Sequence, residues 1–336
     1  MKKIYKITVL MTAIVVMLTT DIYAQDVRYS QPFSNPLTLN PALGGMNNDL
    51  KVILNHRIQW AGLTGGDFTT SSFTGLYPVF LGGGENKMDF GLNAVMENVG
   101  AYQNFYVSAA IGYSLKISES NNLSFSVTGG YIQKSLDIGS LTFDDQYVLG
   151  SYSPSNPTNE TVLYDKKSYP DVGFGILWHS SLSRAESKLN GYLGVSGYHL
   201  TMPKESFTDE TGVLERRFSY LGGIKIFGEN KVDFTPNVIV TTQGGAYETS
   251  AGLYVDFAFS SYGKLTLGGW YRQDDAIACL VNFEYSGFGI GYSYDIPNSG
   301  LGNSITGLNT HEISLFFRMN MKDRNSYDDD EEDYDE

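Results

Sequence analysis

Segment after segment of this chain alternates apolar and polar side chains, and that period of two constrains its fold more than any other feature. Within 309–319, Ile313, Leu315, Phe317 and Met319 share one parity, and Glu312, Ser314 and Arg318 share the other. Successive side chains of a strand point to opposite faces, so this segment has one apolar face and one mostly polar face. Leu265, Leu267 and Tyr271 alternate in the same way with Lys264, Thr266 and Arg272, and only Ser286-Gly287 separates two of the segments that follow. Alternating segments joined by short breaks are antiparallel hairpins. The pattern predicts fourteen strands, at 50–60, 67–78, 87–98, 102–117, 122–134, 168–179, 188–200, 214–227, 231–242, 246–260, 263–272, 275–285, 287–295 and 309–319.

Two architectures accommodate so many strands: a soluble sandwich or barrel, and a membrane barrel. The faces discriminate between them. Phe105, Val107, Ala109, Ile111, Tyr113, Leu115 and Ile117 lie opposite Asn104, Ser108, Gly112, Ser114 and Lys116. Leu123, Phe125, Val127 and Tyr131 oppose Ser124, Ser126 and Thr128, and Leu253, Val255, Phe257 and Phe259 oppose Asp256 and Ser260. A closed soluble core tolerates few such polar groups, whereas a polar lumen accepts them. Many segments run about 10–15 residues, closer to a tilted membrane strand than to the roughly 5–6 of globular sheets. The connections are also segregated: 135–167, 201–213 and 296–308 fall on one side, and 118–121, 228–230, 261–262 and 286 on the other. Outer-membrane barrels have an even strand number, short periplasmic turns and long outer loops. The expected fold is therefore all-β, an antiparallel transmembrane β-barrel of about 14 strands over 50–320. Aromatic residues near strand ends, among them Trp60, Tyr77, Phe80, Trp178, Tyr198, Tyr220, Trp270, Tyr271 and Tyr292, fit either an interfacial girdle or plain strand propensity.

The flanks read differently. Lys2, Lys3 and Lys6 precede an apolar run from Ile7 to Leu18, and Ile22-Tyr23-Ala24 offers a cleavage end before Gln25. Residues 1–24 are expected to be a cleaved secretory signal peptide, with an N-terminal anchor as the alternative. The lipoprotein type of cleavage is excluded, since it needs a cysteine at the cut. Residues 25–49 form a Pro/Asn-rich lead-in in which Pro32, Pro36 and Pro41 forbid a regular helix. An ordered, irregular segment at or inside the periplasmic mouth is expected. Residues 321–336 end in a nearly unbroken acidic run, Asp328–Glu336, expected to be a disordered periplasmic tail. A net charge of −14 argues against nucleic acid as a partner.

Little chemistry is visible. His56, His179, His199 and His311 are scattered, and His311-Glu312 lacks a second histidine at metal-ligand spacing. Gly82-Gly83-Gly84 lacks the Lys-Ser/Thr of a phosphate loop and reads as a turn; Asp144-Asp145 and Asp274-Asp275 lack EF-hand spacing and read as solvated surface. Cys279, the single cysteine, lies in the apolar run Ala276–Phe283 and is expected to be buried or lipid-facing. For a hydrolase the candidates are His56, and Ser314 near His311, neither in a G-x-S-x-G context. No catalytic, metal or cofactor residue is expected. Two stretches look more specific, Asn55–Trp60 and Trp270–Ala276, although composition alone reads them as strand ends with snorkelling arginines.

Taken in order, SQPFSNPLTLNPALGG (Ser30–Gly45), HRIQW (His56–Trp60), GGWYRQDDA (Gly268–Ala276), GIGYSYDI (Gly289–Ile296) and HEISLFF (His311–Phe317) resemble the PorP/SprF family of type IX secretion-associated outer-membrane proteins. The resemblance covers nearly all of the chain after the signal peptide. It singles out Asn35, Pro36, Asn40, Pro41, Gly45, Arg57, Gln59, Trp60, Trp270, Tyr271, Arg272, Asp275, Gly291, Tyr292, Ser293, Tyr294, Asp295, His311 and Glu312 as motif or structural residues. It implies an outer-membrane barrel, without cofactor or catalysis, that works with the type IX machinery on its periplasmic side. It also implies a secreted or surface-anchored, adhesin-like partner, in a cell that glides. The longest connection, Ser135 to Lys167, is the candidate partner-binding loop. The competing reading is a passive porin or solute channel, with which the small polar inward residues are compatible.

Overall fold

The computed structural model describes residues 26–46, 48–61, 68–81, 86–148, 150–153, 155–158, 165–181, 185–207, 212–299 and 308–321. The expected signal peptide (1–24), Gly82–Gly84 and nearly all of the expected acidic tail (321–336) lie outside these residues. Fourteen antiparallel strands close into one barrel. In chain order they are β1 Asp49–Ala61, β2 Phe68–Leu81, β3 Asn86–Val99, β4 Tyr102–Ser118, β5 Asn121–Leu136, β6 Lys166–Ser180 and β7 Leu189–Tyr198. They continue as β8 Arg217–Phe227, β9 Val232–Gln243, β10 Ala246–Ala258, β11 Gly263–Arg272, β12 Ala276–Tyr285, β13 Phe288–Pro297 and β14 Asn309–Asn320. Each strand pairs with its neighbours in sequence, and β1 closes on β14 with Ile53 opposite Phe316 and Arg57 opposite Glu312. The long β5–β6 connection contains its own small hairpin, Tyr147–Val148 with Ser151–Tyr152.

Strand ends depart from the sequence pattern for local reasons. β2 runs on to Leu81 through Pro78, where β1 no longer pairs with it, so the missing proline N–H leaves no ladder bond unmade. β7 stops at Tyr198 because His199 turns into the left-handed region (φ 55°). β8 begins only at Arg217: Val213 bridges Lys204 instead, and Leu214 donates to the Pro203 carbonyl. Two hairpins use the positive-φ pair that matches strand twist, Gly244-Gly245 (φ 56° and 87°) and Ser286-Gly287 (φ 50° and 82°).

The period of two sorts the residues as a membrane barrel requires. Leu54, Leu92, Ile111, Val127, Leu193, Val238, Leu253, Val281, Ile290 and Leu315 are exposed on the outer wall. Asn55, Asn93, Ser108, Ser126, Asn237 and Ser314, on the opposite face, are buried. Cys279 is on the outer wall. Among the described residues no helix is long and apolar enough to cross a membrane; the crossing is made by strands. Tyr77, Trp178, Tyr220, Tyr271 and Tyr292 face outward and are compatible with a girdle, but Trp270 and Tyr198 point inward and are buried, so these two are core residues.

A charge on the outer wall tests this sorting. Val281→Arg, placed mid-strand in β12, should lower folding stability in lipid by about 2–4 kcal/mol, as charges at the bilayer midplane do. Asn237→Ser, on the lumen face of β9, should cost far less. Denaturant unfolding of the barrel reconstituted in vesicles reads both values, and equal losses would contradict the assignment of faces.

Candidate functional site: a lumen occupied by the N-terminal segment

Residues 26–46 lie inside the barrel. The segment folds as three short turns, Pro32–Ser34, Pro36–Leu39 and Pro41–Met46. Each begins on a proline, whose φ is already helical and whose absent N–H has no partner to find in a first turn. Asn40 locks the junction of the last two: its Oδ1 accepts from Ala42 N (2.8 Å) and its Nδ2 donates to the carbonyls of Ile176 and Val195 (both 3.2 Å). Asn35 is fully buried, donates to Tyr29 Oη (2.8 Å) and accepts from Thr74 Oγ1 (3.1 Å).

The path runs from one end of the bore to the other, further than a position at one mouth. Asp26 and Arg28 meet residues at the end of the long connections: His199, Arg217, Gln243, Glu248 and Asp275. Phe33 packs edge-on against Tyr192 and Tyr254 at mid-depth, beside Trp270. Tyr198 Oη donates to the Leu37 carbonyl (2.5 Å) and Ser196 Oγ to that of Leu39 (2.7 Å). Gly45 lies against Ser114 and Ser124 so closely that a Cβ would collide with both hydroxyls. Gly291 is equally confined, by Asn282, Ser314 and Gln31. Ala42 and Leu43 join Leu177, Leu221, Ile239, Trp270, Ala278 and Leu280 in one apolar core, so the inside of this barrel packs like a protein interior.

The strongest anchor is ionic. Glu312 accepts from the backbone N–H of Ser30 (2.6 Å) and Gln31 (3.2 Å) and from Asn55 Nδ2 (2.8 Å). Ser30 Oγ donates to Asp295 (2.7 Å), to which Arg272 Nη2 also donates (2.7 Å); Arg272 Nε holds Asp275 (2.7 Å). Arg57 lies 3.6 Å from Asp295 and 3.7 Å from Glu312 and donates to Gln59 (2.6 Å). Gln31 accepts from Ser314 Oγ (2.8 Å) and donates to the Glu312 carbonyl (3.1 Å) and Ser293 Oγ (3.4 Å). Asn35, Pro36, Asn40, Pro41, Gly45, Arg57, Gln59, Trp270, Arg272, Asp275, Gly291, Ser293, Asp295 and Glu312 thus converge on the segment or on the wall that holds it. The other motif residues do not. Trp60 stacks edge-on against Phe68 at the end of β1, Tyr271 faces outward, Tyr292 Oη meets His311 Nδ1 (2.8 Å), and Tyr294 donates to Asn309 (2.7 Å). Ser314 faces the lumen and His311 the opposite side, so they form no dyad; His56 Nδ1 lies 2.9 Å from Ser71 Oγ. Among the described residues no group of three or more His, Cys, Asp or Glu side chains is placed to hold a metal.

A second latch, at Asp26, gave no signal in the sequence, because its members are single charges on separate strands and in a loop. His199 Nε2 lies 2.7 Å from Asp26, Arg217 Nη1 2.9 Å from it, and His199 Nδ1 3.1 Å from Asp171. Burial opposes charge on His199, but the two carboxylates outweigh it and push its pKa up to about 9. Burial likewise opposes charge on Asp26, and His199 and Arg217 outweigh it, holding the carboxyl far below its usual range. At the other end of the bore the charges alternate: Lys225 with Asp233, Lys264 with Asp256 and Glu284, Arg318 with Glu284 and Asp49, and Lys87 with Asp89. Of these, Asp49, Asp256, Lys264, Glu284 and Arg318 border a cavity of about 370 Å³ beneath Phe33 and Met46. Among the described residues no ring of one sign forms there.

A closed barrel with an apolar outer wall and an ionically anchored interior segment defines an outer-membrane β-barrel. Residues 22–317 match the family described as Type IX secretion system membrane protein PorP/SprF, and the chain belongs to that family. No curated protein sequence matches it. Among solved structures it is similar in fold to the Ralstonia pickettii toluene transporter TbuX (TM-score 0.52, 9% identity, 84% of this chain and 92% of that one). It is also similar to the TodX deltaS2S3 mutant monoaromatic hydrocarbon channel (TM-score 0.51, 11% identity, 85% and 94%).

Two outcomes follow for the anchors. Glu312→Leu leaves Arg57 and two backbone donors facing a buried site without their acceptor, and should cost about 3–5 kcal/mol in denaturant unfolding; a loss below 1 kcal/mol would show the cluster to be dispensable. The second concerns pH. A raised His199 pKa gives stability that is complete below 6.5 and lost as pH rises through about 9. The depressed Asp26 pKa gives stability that is complete above its ordinary 3.8 and lost only in strong acid. The latch is therefore strongest between these ordinary values. Wild type should lose on the order of 3 kcal/mol between pH 6.5 and 9.5, and His199→Gln should lose little over the same range.

Proposed function

We propose that this chain is a plugged scaffold of the type IX apparatus, supporting the export or cell-surface anchoring of one specific secreted, adhesin-like partner without catalysis. The observation that carries this reading is the occupied lumen: a bore filled with packed side chains and buried ion pairs suits a docking platform better than a passive pore. In this reading a signal peptide directs the chain through the inner membrane and is removed. The long connections face the cell exterior, with 135–167 as the partner-binding loop, and type IX components meet the periplasmic end. In a gliding cell the partner would be a surface adhesin. With that orientation the N-terminal end of the described chain, Asp26–Arg28, lies at the outward mouth rather than in the periplasm. A solute channel is the second reading, favoured by the cavity below Phe33 and by the transport activity named for the structurally similar barrels.

Purification of the full-length barrel from its own outer membrane in mild detergent tests the partner. A stoichiometric secreted protein or type IX components should accompany it, and removal of 137–165 should release the secreted protein while the barrel stays folded. A barrel that comes out alone overturns the scaffold reading. Orientation is tested with Val27→Cys in a Cys279→Ser background: a membrane-impermeant maleimide should label it on intact cells, whereas labelling only after permeabilisation inverts the assignment.

A further inference from the structure

The cavity of about 370 Å³ at the short-turn end of the bore is walled by Phe33, Leu43 and Met46 of the N-terminal segment and by Leu76, Leu280 and Phe316 of the barrel. We propose that it is a binding site for an amphiphilic monocarboxylate of about ten heavy atoms, with its carboxylate on Lys51 and its hydrocarbon part against those apolar walls.

One unspent cation carries the argument. Lys51 lines the cavity from β1, half-buried, and among the described residues it forms neither a salt bridge nor a hydrogen bond. What it meets is Phe316, whose ring centre lies 5.8 Å from Nζ. The ammonium keeps accessible surface, so a ligand in the cavity can reach it. The other charges that border the cavity are spent on one another. Arg318 holds Glu284 and Asp49, and Lys264 lies 3.8 Å from Glu284 and 3.9 Å from Asp256. Asp256 also accepts from Thr266 Oγ1 and lies 3.7 Å from Lys225. Each lining carboxylate is thus engaged elsewhere, and among the described residues Lys51 is the lining cation with no counter-ion in contact. Partial burial reduces the screening of its charge, and a carboxylate placed on it gains a charge-assisted hydrogen bond. The walls decide the rest of the ligand. Burial of hydrocarbon against them favours an acid with an apolar body over acetate, sulfate or phosphate. An apolar cavity of roughly 150 Å³ accommodates benzene, so this one has room for a ring on a short chain, and Phe33, Tyr192, Tyr254 and Phe316 offer that ring aromatic neighbours. The side chains of Lys264 and Arg318 are 37% and 45% exposed, so the cavity opens at the short-turn mouth, while the N-terminal segment closes its inner side. A solute held there need not pass the segment, so the site stands whether the barrel scaffolds or transports.

The test is calorimetric titration of the full-length barrel in detergent with sodium 3-phenylpropionate at constant ionic strength, against empty micelles as the blank and 3-phenylpropionamide as the uncharged control of the same size. The acid should give saturable heat at one site per barrel, and the amide should bind about tenfold more weakly. Lys51→Met, which removes the charge and keeps the chain length, should bring the acid down to the level of the amide and leave the amide unchanged. Met46→Trp, which fills the cavity without touching a charge, should abolish both. A chain ending at Met321 should bind the acid as the full chain does; binding seen only in that shortened chain would give Lys51 to the acidic tail and overturn the solute site. Equal binding of acid and amide by the wild type, unchanged binding of the acid by Lys51→Met, or no saturable heat from a barrel that stays folded by its heat-dependent gel shift overturns it as well.

Discussion

Arg57 and Glu312 face each other across the seam where β1 closes on β14, and the N-terminal segment crosses over that seam with Ser30 and Gln31 donating to Glu312. Barrel closure and lumen filling therefore share one set of charges. Two guanidiniums, Arg57 and Arg272, would be untenable inside the bore without Asp295 and Glu312, and these carboxylates would be untenable without the donors that the segment supplies. Removal of any one member leaves a buried charge unmatched, which costs more than the intact pair contributes.

The consequences extend along the segment. Once Ser30 and Gln31 are fixed, three proline-started turns set the spacing of Phe33, Leu37, Asn40 and Gly45 without backbone help from a sheet. Phe33 reaches the Tyr192–Tyr254–Trp270 aromatic group, and Asn40 satisfies wall carbonyls on β6 and β7. Gly45 fits only because it has no side chain. Asp26 and Arg28 extend the anchorage to the mouth. The segment is a component of the interior, held by ions at one end and apolar packing at its middle. An occupied bore turns attention from the pore to the two rims, the long connections on one side and the short turns on the other.

Much of this is legible in the sequence, for one physical reason: a strand's period of two is read directly from residue parity. It fixes the barrel, the strand count and the lumen-facing positions of Arg57, Arg272, Asp295 and Glu312. It also puts Trp270 on the opposite parity from Leu265, Leu267 and Tyr271, although position near a strand end suggested a girdle residue. Parity says nothing about contacts across the bore. That Gln31 meets Ser314, or Asn40 the carbonyls of Ile176 and Val195, depends on a segment with no period of its own. The Asp26–His199–Arg217 latch was invisible because its members lie in a lead-in, at a loop and at a strand end, far apart in sequence. β8 began later than its pattern suggested because Val213 and Leu214 found tertiary partners in the preceding loop.

The central claim is that the lumen is closed by the chain's own N-terminal segment. The most direct measurement is conductance of the purified full-length barrel in a planar bilayer near pH 6. The account predicts that correctly inserted barrels, verified by their heat-dependent gel shift, pass no steady current. Stable, uniform single-channel openings from the same preparation would contradict it.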